Sequence, residues 1–258
     1  MSIGTLLLSD ARFPAGGHAH SGGVEPAVTA GIVTDVASLE VFLRGRLRTA
    51  GLVAAGLATA ACALGSAGPM AGRSHAGGPD GLDAHGWTWA DLDAEADARM
   101  PSPAQREASR RQGRALLRAA RAAWPDAMWL EHLSRTSPGP WNADEYRGGP
   151  HHAVVLGAVA AAAGCTPHEA AQIAAYQAVA GPASAAVRLL ALDPMQATAA
   201  LARMADLITA RSEEVGGGGI GVGGGIGVGV AELPCASAPA LDLLAEAHSA
   251  AEVRLFES

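Results

Sequence analysis

The sequence predicts an all-α fold, and three observations predict it. Apolar residues make up 49% of the chain but aromatics only 4%, and alanine dominates. That composition suits closely approaching helices better than a sheet of β-branched and aromatic side chains. Helix starts are written out along the chain, and no stretch shows the period-2 alternation of a half-buried strand. The 258 residues are enough for one sizeable core, so a single helical-bundle domain over residues 1–258 is expected.

Three starts follow one formula: Ser102-Pro103-Ala104-Gln105, Thr166-Pro167-His168-Glu169 and Asp193-Pro194-Met195-Gln196. Each puts a capping side chain first, Pro at the first helical position, and Gln or Glu at the third, from which it can reach back to the cap's N–H. Thr88-Trp89-Ala90-Asp91 is a fourth start. Between them the spacing predicts one long helix from about Asp35 to Leu64, one over Pro103 to Ala123, and one over His151 to Ala163 that stops at Gly164. The helix from Pro167 meets Gly181-Pro182, where proline lacks an N–H and crowds the preceding turn, so a kink or break is expected there. Leu201, Met204, Leu207 and Ile208 keep helical spacing after Asp193. The last helix is amphipathic, with Leu241, Leu244, His248, Ala251 and Leu255 on one face. Two segments read as flexible loops: 66–86, rich in Gly, Pro and His, and the Gly-rich 216–230 before the C-terminal helix.

Charge and composition exclude several classes. The net charge is −7 and all 18 basic residues are arginine, so no nucleic-acid footprint is present. Without a lysine, a P-loop cannot reach the terminal phosphates of a nucleotide, and Schiff-base chemistry has no nucleophile. Gly219, Gly221 and Gly224 match G-x-G-x-x-G, but no strand precedes them and no helix opens after them, so the run reads as a linker. The uncharged stretch from Thr49 to Gly72 is interrupted by Gly65, Ser66, Gly68 and Pro69, which favours a buried helix over a membrane span. Cys62, Cys165 and Cys235 are odd in number and far apart, as in a cytoplasmic protein with reduced thiols, and no basic export leader precedes Arg12.

No catalytic constellation is visible. His168-Glu169 is followed by Gln172 where a metalloprotease needs its second histidine. His18, His20 and the pair His151-His152 could offer imidazoles to a borderline metal, but two histidines do not complete a site. A turn-forming pair and a helix start are the favoured reading, so no catalytic, cofactor or resident metal site is expected. Phe13 to Gly17 and Ser21 to Gly23 concentrate four glycines around a bend that ends at Glu25. Such a bend is either a structural turn or a partner contact.

Four blocks carry a family resemblance. LLLSDARFPAGGHAHSGGVE, Leu6 to Glu25, resembles the N-terminal signature of the UreF family, and REASRRQGRALL, Arg106 to Leu117, resembles one of its helices. AAVRLLALDPMQ, Ala185 to Gln196, and HSAAEVRLFES, His248 to Ser258, are similar to its arginine-leucine helix and its terminus. The blocks stand in the family's order. His18 replaces a usual aromatic residue, Glu257 a usual basic one, and Asp193-Pro194 a Gly-Gln turn.

The resemblance implies an all-helical protein without catalysis of its own that dimerises. It also implies binding to the accessory protein UreD (UreH), recruitment of the GTPase UreG, and help in delivering nickel to apo-urease in a GTP-dependent step. Nickel would then be in transit, with His18 and His20 as candidate contacts. Tyr176, beside Ala175, Ala178 and Val179, is a candidate dimer contact or else ordinary core. Arg254, Leu255 and Phe256, with His248 before them, are candidates for docking the UreD-type partner or else pack on the chain's own core. The alternative is a cytoplasmic helical enzyme with an unrecognised small-molecule site.

Overall fold

The computed structural model describes residues 2–10, 12–14, 17–67, 88–133, 148–216 and 233–256, which are helical and contain no strand. Most of both expected loops, including the G-x-G-x-x-G run, lies outside the described residues. The helices are α1 (Ile3–Ser9), α2 (Val24–Thr29), α3 (Val36–Arg46), α4 (Leu52–Ser66), α5 (Trp89–Ala98) and α6 (Pro103–Ala123). They continue as α7 (Met128–Leu133), α8 (His152–Ala162), α9 (Pro167–Leu190), α10 (Pro194–Ala202), α11 (Ala205–Gly216) and α12 (Pro239–Ser249).

A π-helical turn, Leu47–Gly51, joins α3 to α4, so the expected long helix runs unbroken from the Asp35 cap to Ser66. By length and composition this helix could cross a membrane, but 78% of its most apolar window is buried inside the protein. Within α4 only Ala54 and Ser66 escape full burial, because α8, α9 and α11 pack around it. Small residues permit this closeness: a Cβ on Gly157 of α8 would strike the Ala58 carbonyl and approach the Ala61 Cβ within 2.6 Å. A second core cluster, with Val24, Leu39, Leu43, Val179 and Met204, lies beneath α2, α3 and α10.

The capping formula is realised unevenly. Thr166 and Glu169 close the full reciprocal box, and so do Thr88 and Asp91. Ser102 accepts the Gln105 N–H at 3.1 Å, but Gln105 does not reach back. Glu246 of α12 fastens this start in another way, accepting from the Ser102 hydroxyl at 2.5 Å and the Ala104 N–H at 3.0 Å. The carboxylate thereby satisfies an N–H of the first turn that the helix itself leaves open.

Gly181-Pro182 does not break its helix, since α9 is continuous from Pro167 to Leu190. Proline at 182 leaves the carbonyl four residues back, that of Ala178, without its helical donor. Arg46 supplies one, its Nε–H donating to the Ala178 carbonyl at 3.0 Å. The last helix is shorter than expected: α12 ends at Ser249, so Ala251 and Leu255 are not on its face, and Leu255 is 75% exposed. The chain folds back there because it is held by a residue near the opposite end of the sequence.

Candidate functional site

That residue is Glu25, in the first turn of α2. Its carboxylate accepts the N–H of Leu255 at 2.7 Å and the N–H of Phe256 at 2.9 Å. His248 on α12 lies 3.4 Å from the same carboxylate, and its Nε2 is 3.2 Å from the Phe256 carbonyl. Phe256 is 8% exposed, and the guanidinium of Arg188 on α9 sits 4.4 Å over its ring, a cation–π contact. Bonds from backbone N–H to an ionised carboxylate are about twice as strong as neutral ones, so the terminus is clasped rather than merely packed. The clasp turns Val253, Arg254 and Leu255 outward.

The expected docking residues therefore separate. Phe256 and His248 are buried in contacts within the chain, whereas Arg254 and Leu255 face outward. Glu25 and Arg188 were not singled out from the sequence, although each lies inside one of the quoted blocks. The signal was available in that three blocks, Leu6 to Glu25, Ala185 to Gln196 and His248 to Ser258, meet at this one point.

Tyr176 is 40% exposed on α9, but Ala175 and Val179 belong to the core, so the smooth surface expected around it is not built from them. The end of α1 is fastened to α9 next to Tyr176 by the Gln177 side-chain amide donating to the Leu8 carbonyl at 3.0 Å. Leu6 and Leu7 stay exposed on that helix. His20 is buried, whereas the side chain of His18 lies outside the described residues. Among the described residues no group of three or more His, Cys, Asp or Glu side chains is placed to hold a metal.

A second polar knot joins α5, α6 and the start of α8. Asp93, fully buried, accepts the His151 N–H at 2.8 Å and pairs with Arg110 at 2.9 Å. Arg110 also pairs with Asp97 at 2.6 Å, and Asp97 faces His151 Nε2 at 2.8 Å. Burial, with the Arg110 cation next, pushes the His151 pKa below its usual value. Burial would raise Asp97, but His151 and Arg110 outweigh it and hold that carboxyl below the usual range. Neutral His151 therefore donates Nε2–H to Asp97 and accepts at Nδ1 from the Ser109 hydroxyl, 3.0 Å away. The order Ser109–His151–Asp97 is that of a hydrolytic triad. Ser109, however, lies within α6 and its oxygen also takes the His152 N–H at 3.2 Å, so it serves the start of α8.

Between α1, α9 and the long helix lies a cavity of about 510 Å³, lined by Leu8, Phe13, His20, Arg46, Gln112, His152 and Tyr176 among others. A smaller one of about 190 Å³ shares His20, Arg46, Gln112 and His152 with it. Burial, then the neighbouring His20, pushes the His152 pKa down to about 4, so this imidazole is neutral near physiological pH. Gly22, at φ +60°, closes one wall, where a Cβ would come within 2.8 Å of Pro182 Cγ and 3.3 Å of the Arg46 guanidinium.

An all-helical protein whose buried carboxylates fasten helix starts and chain ends is thus defined. Comparison with known sequences places it more closely: the UreF family model matches residues 33–205. A urease accessory protein UreF of Mycobacterium marinum is 41% identical over 253 residues, covering 98% of this chain and 97% of the relative. That of Mycolicibacterium vanbaalenii is 41% identical over 258 residues, covering 100% and 99%, and that of a Mycobacterium tuberculosis strain is 39% identical over 253 residues, covering 98% and 97%. The chain belongs to the UreF family of urease accessory proteins.

Proposed function

We propose that this chain is a non-catalytic cytoplasmic scaffold in urease maturation, which docks a UreD-type accessory protein and through it a UreG-type GTPase, so that nickel reaches apo-urease in a GTP-dependent step. The observation that carries the reading is the C-terminal clasp. Glu25 fixes the backbone of Leu255 and Phe256, and with it the outward course of Val253, Arg254 and Leu255, so this short surface is ordered before any partner arrives. Preordering lowers the entropy cost of docking, and an arginine next to apolar side chains is a composition typical of binding hot spots. Dimerisation through Tyr176 and the outward leucines of α1 belongs to the same reading, with a second copy covering that apolar face.

The test is capture of the UreD-type partner, followed by GTP hydrolysis and nickel loading of apo-urease with the GTPase added. Wild type captures the partner, and Leu255→Asp and Arg254→Ala weaken capture at least tenfold while keeping the wild-type circular dichroism spectrum. Undiminished capture by both folded variants removes the C-terminal docking surface. Light scattering of Tyr176→Asp, expected to give a monomer mass, tests the dimer separately.

A further inference from the structure

Arg46 has a role that its bond to Ala178 does not exhaust. Among the described residues the only hydrogen bond of its side chain is the one from Nε–H to that carbonyl, and no carboxylate pairs with it. The two cavities that meet at Arg46 offer two carboxylates, and neither answers it. Asp10 is bound in a fork by Arg12, and Asp242 has its pKa raised first by burial and then by Glu246. Burial alone pushes the Arg46 pKa down to about 10, with no anion opposing the shift. A guanidinium stays charged under any physiological condition, so the fold carries a partly desolvated cation whose Nη groups have no counter-charge. Arg46 is half-buried, and a half-buried guanidinium at a cavity wall with no carboxylate beside it is a ready anchor for an anion.

The surroundings specify which anion. Nε is taken by Ala178, so an oxyanion meets the fork end-on through its two Nη groups, while Gln112 and the neutral His152 stand on the shared wall as polar neighbours. Most of the remaining lining is apolar, with Leu8, Phe13, Ala54, Val187 and Leu201. Concave, mainly apolar sites with one charged anchor and a few polar groups are the usual form of small-molecule sites.

We propose that the 510 Å³ cavity binds a small organic carboxylate, its carboxyl group on Arg46 and its apolar body against Leu8, Phe13 and Ala54. Arg188 lines this cavity and also sits over Phe256, but the anchor Arg46 takes no part in the C-terminal clasp, so loss of ligand binding on changing Arg46 or Ala54 is distinguishable from loss of partner capture on changing Arg254 or Leu255. Thermal unfolding of the full chain is followed in butyrate, acetate and phosphate, each against sodium chloride at matched ionic strength. Butyrate raises the midpoint saturably, by about 3 °C at ten times its Kd, acetate does so more weakly, and phosphate matches chloride. In parallel, the Arg46 Nε–Hε resonance shifts saturably with butyrate. Two variants guard against a general salt effect. Arg46→Gln removes the anchor, and Ala54→Leu narrows the cavity while leaving Arg46 and its Ala178 bond in place; both lose the butyrate response. Equal stabilisation by all salts, a response to phosphate alone, or an undiminished butyrate response in Ala54→Leu overturns the proposal.

Discussion

Glu169 and Glu25 each accept two backbone N–H groups, and each ties down one end of the chain, but they do so in different settings. Glu169 takes the N–H of Ser2 at 2.6 Å and that of Thr166 at 2.9 Å. The Thr166 bond belongs to the capping box of α9, so the carboxylate is already positioned by the helix it helps to start, and the N-terminal segment is added to it. Glu25 has no such local bond through its carboxylate. It holds Leu255 and Phe256, more than 200 residues away, beside the contacts that His248 and Arg188 make with Phe256. The same chemistry thus supports the core at one end and presents a surface at the other.

The contrast is broken or sharpened first by deleting each carboxylate. Glu169→Ala should lower stability by about 2–3 kcal/mol in urea unfolding, because a cap and a charge-assisted bond to Ser2 go together. Glu25→Ala should lower it by about 1 kcal/mol or less, since fraying the tail leaves both core clusters intact, while amide exchange at Leu255 and Phe256 accelerates toward the unprotected rate. Equal losses in the two variants would show that the tail is part of the core.

Acid separates the groups further. The Thr166 N–H, opposed by burial and helped by the Ser2 N–H, draws the Glu169 pKa from its usual 4.5 down to about 2. A depressed carboxylate contributes stability that is present above its usual value and lost as pH falls from 4.5 toward 2. His152, held neutral by burial and His20, contributes stability that is present above 6.5 and lost as pH falls from there toward 4. Loosening should therefore begin at the cavity, with about 1 kcal/mol lost between neutral pH and about pH 5 after allowing for partial exposure. Urea midpoints at the two pH values should show that loss in wild type and a smaller one in His152→Gln, where His151, also held below its usual value by burial, still contributes, whereas the Glu169 contribution persists to lower pH in both.

The smallest effect concerns the ring contact. Arg188→Gln should weaken the seat of Phe256 by about 0.5–1 kcal/mol, seen as faster exchange at that amide with an unchanged global urea midpoint. A global shift would mean that Arg188 acts mainly in the core beneath it.

Much of the fold was legible because its signals are local. The Thr166-x-x-Glu169 box, the Asp35 cap and the apolar run of the long helix each depend on residues a few positions apart. The short α1 and α2, with seven and six residues, carried no such signal, since helices of that length are marginal alone and persist here through Glu169, Gln177 and the packing of α9. Ser102 to Gln105 read the same as Thr166 to Glu169, yet here no box closes and Glu246 from another helix binds the Ser102 hydroxyl and the Ala104 N–H. Of the candidate site, the terminal block was found but its division was not: no periodicity tells that Phe256 turns inward while Leu255 turns outward.

The sequence by itself determined the helical class, the places where most helices begin, and the family. Only the tertiary structure decided which buried carboxylate meets which N–H, that Arg46 answers the carbonyl Pro182 leaves open, and that the terminus folds back on Glu25. The physical reason is range: capping and amphipathic periodicity act over three or four residues, whereas these bonds join positions 132 to 231 residues apart and exist only once the whole chain has packed.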